Sequence, residues 1–106
     1  DVTTGQARRR RIPEPILRRY LGGSGLGAWL LLAHDAPRHD PFSAPAPLAL
    51  VFSPLVGSPF TTSAKFAVVS RSPLTGMIND ALSSSGFALA GKKCGVDAIV
   101  ITGRAE

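Results

Sequence analysis

Three apolar runs in this chain are only four or five residues long, and two of them end in the same proline–glycine turn. Leu48-Ala49-Leu50-Val51-Phe52 leads into Ser53-Pro54-Leu55-Val56-Gly57. Phe66-Ala67-Val68-Val69 leads, after Ser70-Arg71, into Ser72-Pro73-Leu74-Thr75-Gly76. The third run, Ala98-Ile99-Val100-Ile101, is β-branched and turns out at Thr102-Gly103. Runs this short, bounded by turn residues, fit brief strands, and Leu48–Phe52 reads as one buried on both faces. The repeated turn predicts that the first two strands are neighbours that leave the sheet in similar ways, with their loops gathered at related places. Eleven glycines and nine prolines in 106 residues agree with a chain of many turns.

Upstream, the pattern changes. Val2 to Gln6 reads as a strand end and a turn at Thr4-Gly5, with Ala7 to Ile12 returning as the second strand of a hairpin. Pro13-Glu14-Pro15 opens a helix whose apolar face is Ile16, Leu17, Tyr20 and Leu21, and Gly22-Gly23 ends it. Gly23-Ser24-Gly25-Leu26-Gly27-Ala28 matches G-x-G-x-x-A, but a dinucleotide fingerprint follows a strand, and this one follows a helix; it reads as a helix–helix joint. Ala28 to Ala33 is apolar nearly all round, so the second helix is expected to be buried, closing at His34-Asp35. His34 and His39 with Asp35 and Asp40 lie in a Pro-rich charged loop, read as loop rather than metal site. Alternating prolines make Phe42 to Pro47 a connector.

Lys65 to Gly103 combines a strand, a glycine turn, three hydroxyls and a final strand. Met77 to Leu82 leads to Ser83-Ser84-Ser85-Gly86, which opens a short helix, Gly86 to Cys94, with Phe87, Ala90 and Cys94 at helical spacing. A helix start offers unpaired N–H groups and the positive end of the peptide dipoles, which favours an anion such as phosphate. The plainer reading is that one serine caps the helix and the other two face water. Between the turns, Gly57 to Ala64 is small and polar apart from Phe60, and so able to lie against a ligand or partner.

The hydrophobic fraction of 44% and charged fraction of 18% are those of one globular domain with a modest core. No apolar run is long enough to span a bilayer. The chain starts Asp-Val-Thr-Thr-Gly, with neither methionine nor a secretory signal, as though cut from something longer. The single cysteine, Cys94, excludes an internal disulfide and cannot alone build a zinc or iron–sulfur site; a reducing cytoplasm is the expected compartment. Net charge is +5, and Arg8 to Arg11 raise the question of nucleic acid. Stacking aromatics are not interleaved with them and no nucleic-acid module signature is present.

Five blocks, in order over the whole chain, carry a resemblance. They are Asp1-Val2-Thr3-Thr4-Gly5; Tyr20-Leu21-Gly22-Gly23-Ser24-Gly25-Leu26-Gly27-Ala28; Ser53-Pro54-Leu55-Val56-Gly57; Val68-Val69-Ser70-Arg71-Ser72-Pro73-Leu74-Thr75-Gly76; and Cys94-Gly95-Val96-Asp97-Ala98-Ile99-Val100-Ile101-Thr102-Gly103. The sequence resembles the N-terminal domain of tungsten-containing aldehyde ferredoxin oxidoreductases, which show D-L-T-T-G, F-L-G-G-R-G-L-G-A, G-P-L-T-G, V-V-T-K-S-P-L-T-G and A-G-Y-D-A-I-I-I-E-G at these places. The resemblance implies an α+β fold: a short-stranded β-sheet with two N-terminal helices and one short C-terminal helix, forming one half of a pseudo-twofold sheet domain. Residues 1–106 would be a single segment of that domain.

The resemblance further implies a base for a tungsten or molybdenum bis-pterin. Lys65 matches the position of a family arginine that reaches the pterin. Leu82-Ser83-Ser84-Ser85 matches an Asn-Ser-Gly-Gly segment that contacts pterin phosphates and a bridging magnesium. The Leu82 main-chain carbonyl would be the magnesium ligand, since Mg²⁺ takes oxygen of any origin. Lysine for arginine keeps the charge and loses the planar fork. Serine for glycine adds donors where glycine allows close approach. The implied parent enzyme oxidises aldehydes to carboxylic acids and passes electrons through a 4Fe-4S cluster, not bound by this segment, to ferredoxin or another carrier. No catalytic residue falls within the segment, which alone is not expected to be active. Its implied partners are the remainder of the enzyme and a second copy in a homo-oligomer. The rival reading is a structural or interaction module that has lost pterin binding.

Overall fold

In the computed structural model, which describes residues 1–105, the sheet is built from four antiparallel strands in the order β3-β2-β1-β4. The strands are β1 (Leu48–Phe52), β2 (Lys65–Arg71), β3 (Ile78–Ser84) and β4 (Ala98–Ile101). Helices α1 (Glu14–Tyr20) and α2 (Gly23–Ala33) precede them, a 3₁₀ turn (Ala36–Arg38) follows α2, and α3 (Gly86–Lys93) joins β3 to β4. This is the α+β arrangement expected from the sequence.

Alternation along the strands sorts the core into two layers. Ala49 and Val51 pair with Val69 and Ala67, and this face is covered by Leu26, Leu30 and Leu31 of α2. Gly27 makes the close approach possible: a Cβ there would run into the Val69 side chain. The α2 glycines thus serve helix–sheet packing, and the G-x-G-x-x-A pattern falls in the helix itself. Gly22, at the joint, lies so close to β1 that a Cβ would sit 2.8 Å from the Phe52 carbonyl oxygen. On the other face, Phe52, Val56 and Ala88 form a second cluster under α3, with the Phe52, Phe66 and Phe87 rings 5.2 to 6.4 Å apart. Gly91 lies directly on the Phe52 ring.

Four expectations are corrected. The N-terminal hairpin does not form: Val2–Gly5 is a turn whose Val2 N–H donates to the Thr102 carbonyl (2.8 Å), and residues 6–13 run unpaired. Four adjacent arginines leave that segment without a neutral pairing face. The two S-P-L-x-G turns do belong to neighbouring strands and share a left-handed glycine, Gly57 (φ 86°) and Gly76 (φ 71°). Because β1 and β2 run antiparallel, however, the turns lie at opposite ends of the sheet. Helix α2 is not buried all round, since Leu32 is 58% exposed. Helix α3 buries Ala88 and Gly91, whereas Phe87, Ala90 and Cys94 are exposed.

Residues 78–84, where no strand was expected and where Ser83 and Ser84 were read as part of a helix start, are a full edge strand. Ile-Asn-Asp-Ala-Leu-Ser-Ser has weak strand propensity. Register with β2 makes it one, from Arg71↔Ile78 to Lys65↔Ser84. The Ser72 N–H bond to the Met77 carbonyl (2.8 Å) closes the hairpin. The part-buried Arg71 guanidinium ties that hairpin to the 3₁₀ turn, donating to the carbonyls of Gly76 (2.9 Å) and His39 (2.9 Å).

Candidate functional site

The bonds at both ends of the β2–β3 ladder fix its parity. Ser72 bonds Met77, and the Ser85 N–H donates to the Ala64 carbonyl (3.2 Å). In an antiparallel pair, bonded and non-bonded residue pairs alternate. Lys65↔Ser84 and Ala67↔Leu82 are therefore non-bonded pairs, and Phe66↔Ser83 is a bonded one. Two consequences follow. The N–H and C=O of Leu82 and Ser84 point away from β2, toward the open edge of the sheet. The side chains of Lys65, Leu82 and Ser84 share one face, with the Lys65 and Ser84 Cα atoms about 4.5 Å apart, the closer of the two antiparallel spacings.

The predicted site residues thus divide. Lys65, Leu82 and Ser84 come together, all exposed, and Leu82 is 70% exposed. Ser83 sits one residue out of phase, so its side chain leaves by the opposite face, beside Phe66. Ser85 is spent on structure: its hydroxyl accepts from the Phe87 N–H (3.2 Å) as the N-cap of α3, and its amide is held by Ala64. The helix start is capped by its own serine. The groups offered to an anion at this end of the sheet are the Lys65 ammonium, the Ser84 hydroxyl and the outward Ser84 amide. The outward Leu82 carbonyl is an unshared oxygen suited to a hard cation.

One member was not foreseen. Asp80, two residues along the same strand face, accepts a 2.5 Å hydrogen bond from the Ser24 hydroxyl in the first turn of α2. It anchors the edge strand to the helix that covers the sheet. Nothing in Asn79-Asp80-Ala81 marks this role, because the contact joins residues 56 apart in sequence.

A family model for "Aldehyde ferredoxin oxidoreductase, N-terminal domain" matches residues 1–106. The chain belongs to this family. Its relatives include the tungsten-containing aldehyde ferredoxin oxidoreductases of Pyrococcus furiosus and Thermococcus kodakarensis, 37% and 34% identical over 106 residues. All of this chain is covered in each case, but only 18% of the relative. An aliphatic sulfonate oxidoreductase, WOR-like subunit, from Pyrococcus furiosus is 29% identical over 109 residues, 17% of its length. Among solved structures, the active site complex BamBC of benzoyl coenzyme A reductase, in complex with 1,5-dienoyl-CoA, superposes with a TM-score of 0.90 at 28% identity. It covers 98% of this chain and 16% of that one. The family match runs over the whole chain, and the chain spans less than a fifth of the relatives it matches. Among the described residues of this domain, no cluster of three or more His, Cys, Asp or Glu side chains is placed to hold a metal ion. Among the described residues, no helix is long and apolar enough to cross a membrane.

Proposed function

We propose that this domain is the cofactor-cradling first portion of a metallopterin oxidoreductase. In this reading Lys65, Ser84 and the Leu82 carbonyl hold the phosphate and magnesium end of a tungsten or molybdenum bis-pterin. The observation that supports it most directly is the in-register pairing of Lys65 with Ser84 at the open β3 edge. The residues present fit such a group: an exposed cation, a hydroxyl and an outward amide for phosphate oxygens, and a free carbonyl for Mg²⁺.

Each residue has a distinct task. Lys65 offsets phosphate charge as a point cation rather than a planar fork. Ser84 donates from its side chain where a glycine would expose only backbone. Ser83 and Ser85 keep strand and helix in place around them. When bound, the cofactor supplies the two-electron oxidation of an aldehyde to a carboxylic acid, with electrons leaving through a 4Fe-4S cluster to ferredoxin or another carrier. With Cys94 as its one cysteine, the segment relies on the remainder of the polypeptide for that cluster. We assign an aldehyde substrate because the aldehyde enzymes are 33–37% identical and the sulfonate enzyme 29%.

Tungsten, molybdenum and pterin content of the intact protein tests this, comparing wild type with Lys65→Ala, Lys65→Arg and Ser84→Leu. Lys65 and Ser84 are exposed, so the variants are expected to fold, which circular dichroism checks. Content should fall in Lys65→Ala and Ser84→Leu and persist in Lys65→Arg. A metal- and pterin-free wild type points instead to an interaction module, and full content in all three variants removes these residues from the site.

A further inference from the structure

The opposite edge of the sheet carries a second charged feature. Strands β3 and β4 are the two outer strands, so three interstrand spacings, about 14 Å, separate them. Beside β4 runs the unpaired arm of residues 6–13. It is pinned at one end by the Val2–Thr102 bond and further along by the Arg9 guanidinium, which donates to the Cys94 carbonyl (3.2 Å). Between arm and sheet lie two adjoining clefts of about 370 and 520 Å³ that share Arg8, Arg10, Ile12 and Ala98.

The larger cleft takes Gln6, Arg8, Arg10 and Ile12 from the arm and omits the residues between them. That is the period of an extended chain, and it sets the Arg8 and Arg10 side chains about 7 Å apart along one wall. Ala98 and Val100 of β4 form an apolar floor, and His34, at the end of α2, stands among the lining residues. The carboxylates at the clefts are otherwise engaged. Asp1 accepts from the Thr3 and Thr4 amides (2.8 and 3.3 Å), and Asp97 pairs with Lys92 (2.6 Å). Among the described residues the ion pairs are Glu14–Arg18 and Lys92–Asp97, so Arg8 to Arg11 are adjacent like charges with no carboxylate partner.

Clefts of this size suit a small molecule. Neither lining includes Phe, Tyr or Trp, which disfavours the base stacking that single-stranded nucleic acid uses. We propose that the cleft between the arm and β4 binds a small polyanion bearing two neighbouring phosphate groups, one gripped by the Arg8 guanidinium and the other by that of Arg10. The site is separate from the Lys65 edge and does not depend on the pterin reading. Burial and the Arg10 charge hold His34 below the usual histidine pKa. The charged groups facing it are Arg8 and Arg10 from the arm and Asp1 at the N-terminus, and β4 contributes none. A bound polyanion offsets Arg10 and raises the His34 pKa, so binding tightens as pH falls.

Calorimetric titration of the intact protein with pyrophosphate, alongside NMR of the His34 ring, tests this. Wild type should bind pyrophosphate more tightly than single phosphate. Arg8→Gln/Arg10→Gln should weaken binding by about tenfold or more, and Arg18→Gln, on α1, should leave it unchanged. Pyrophosphate should also raise the His34 pKa in wild type, a readout that needs no variant to fold. Equal affinity in the double variant, no preference over single phosphate, an unmoved His34, or tighter Arg8/Arg10-dependent binding of a single-stranded oligonucleotide would each overturn the assignment.

Discussion

Gly27 and Gly91 let two helices lie directly on the sheet, and neither is a turn residue. In Gly91→Ala the new Cβ meets the Phe52 ring, whose own position is fixed by Phe66 and Phe87. Overpacking of that kind costs about 1–3 kcal/mol, which outweighs the gain of up to about 1 kcal/mol in helix propensity. Gly86→Ala, where a Cβ meets nothing within 4 Å, should be neutral or stabilising, and urea midpoints of the pair give the comparison. Sequence alone showed that α2 and α3 contain glycine but not what lies opposite; that information is in the register of β1 and β2. His34 belongs to the same scale. Its folded pKa lies below the unfolded value of 6.5, so below about pH 6.5 the unfolded chain takes up more protons than the folded one. Stability should therefore decline as pH falls through that window, down to the folded pKa, and His34→Gln should flatten the decline.

At the scale of elements, β1, β2, β4 and the three helices were legible, because apolar runs, proline at a helix start and a serine cap act locally. β3 was not. Asn, Asp and Ser give it no strand pattern, and only pairing with β2 along its whole length makes it a strand. The N-terminal hairpin fails for the converse reason, since local turn chemistry at Thr4-Gly5 cannot supply a partner for an arginine run. The ladder parity makes a sharp prediction. The Ser83 N–H lies on the β2 side and the Ser84 N–H on the open side, so Ser83→Pro removes a ladder bond and Ser84→Pro does not. Ser83→Pro should lower the unfolding midpoint clearly more than Ser84→Pro. In hydrogen exchange the Leu82 and Ser84 amides should exchange faster than that of Ser83. A register one residue different would reverse both orders.

Across the whole molecule, α2 covers one sheet face, α3 covers one end of the other, and both outer strands stay open. The β3 edge presents Lys65, Ser84 and the Leu82 carbonyl, and the β4 edge presents the arginine cleft. Sequence resemblance brought Lys65 and the serine run together; in the fold Ser83 pairs in the ladder, Ser85 caps α3, and Ser84 shares a sheet face with the lysine. That division follows from a period of two, which a string of three identical residues hides. The account rests on the cofactor phosphates meeting that edge. A crystal structure of the intact, cofactor-loaded protein decides it most directly. The account predicts a pterin phosphate oxygen about 3 Å from the Lys65 Nζ, with the Leu82 carbonyl turned toward magnesium; a cofactor seated elsewhere, with Lys65 and Ser84 in solvent, would contradict it.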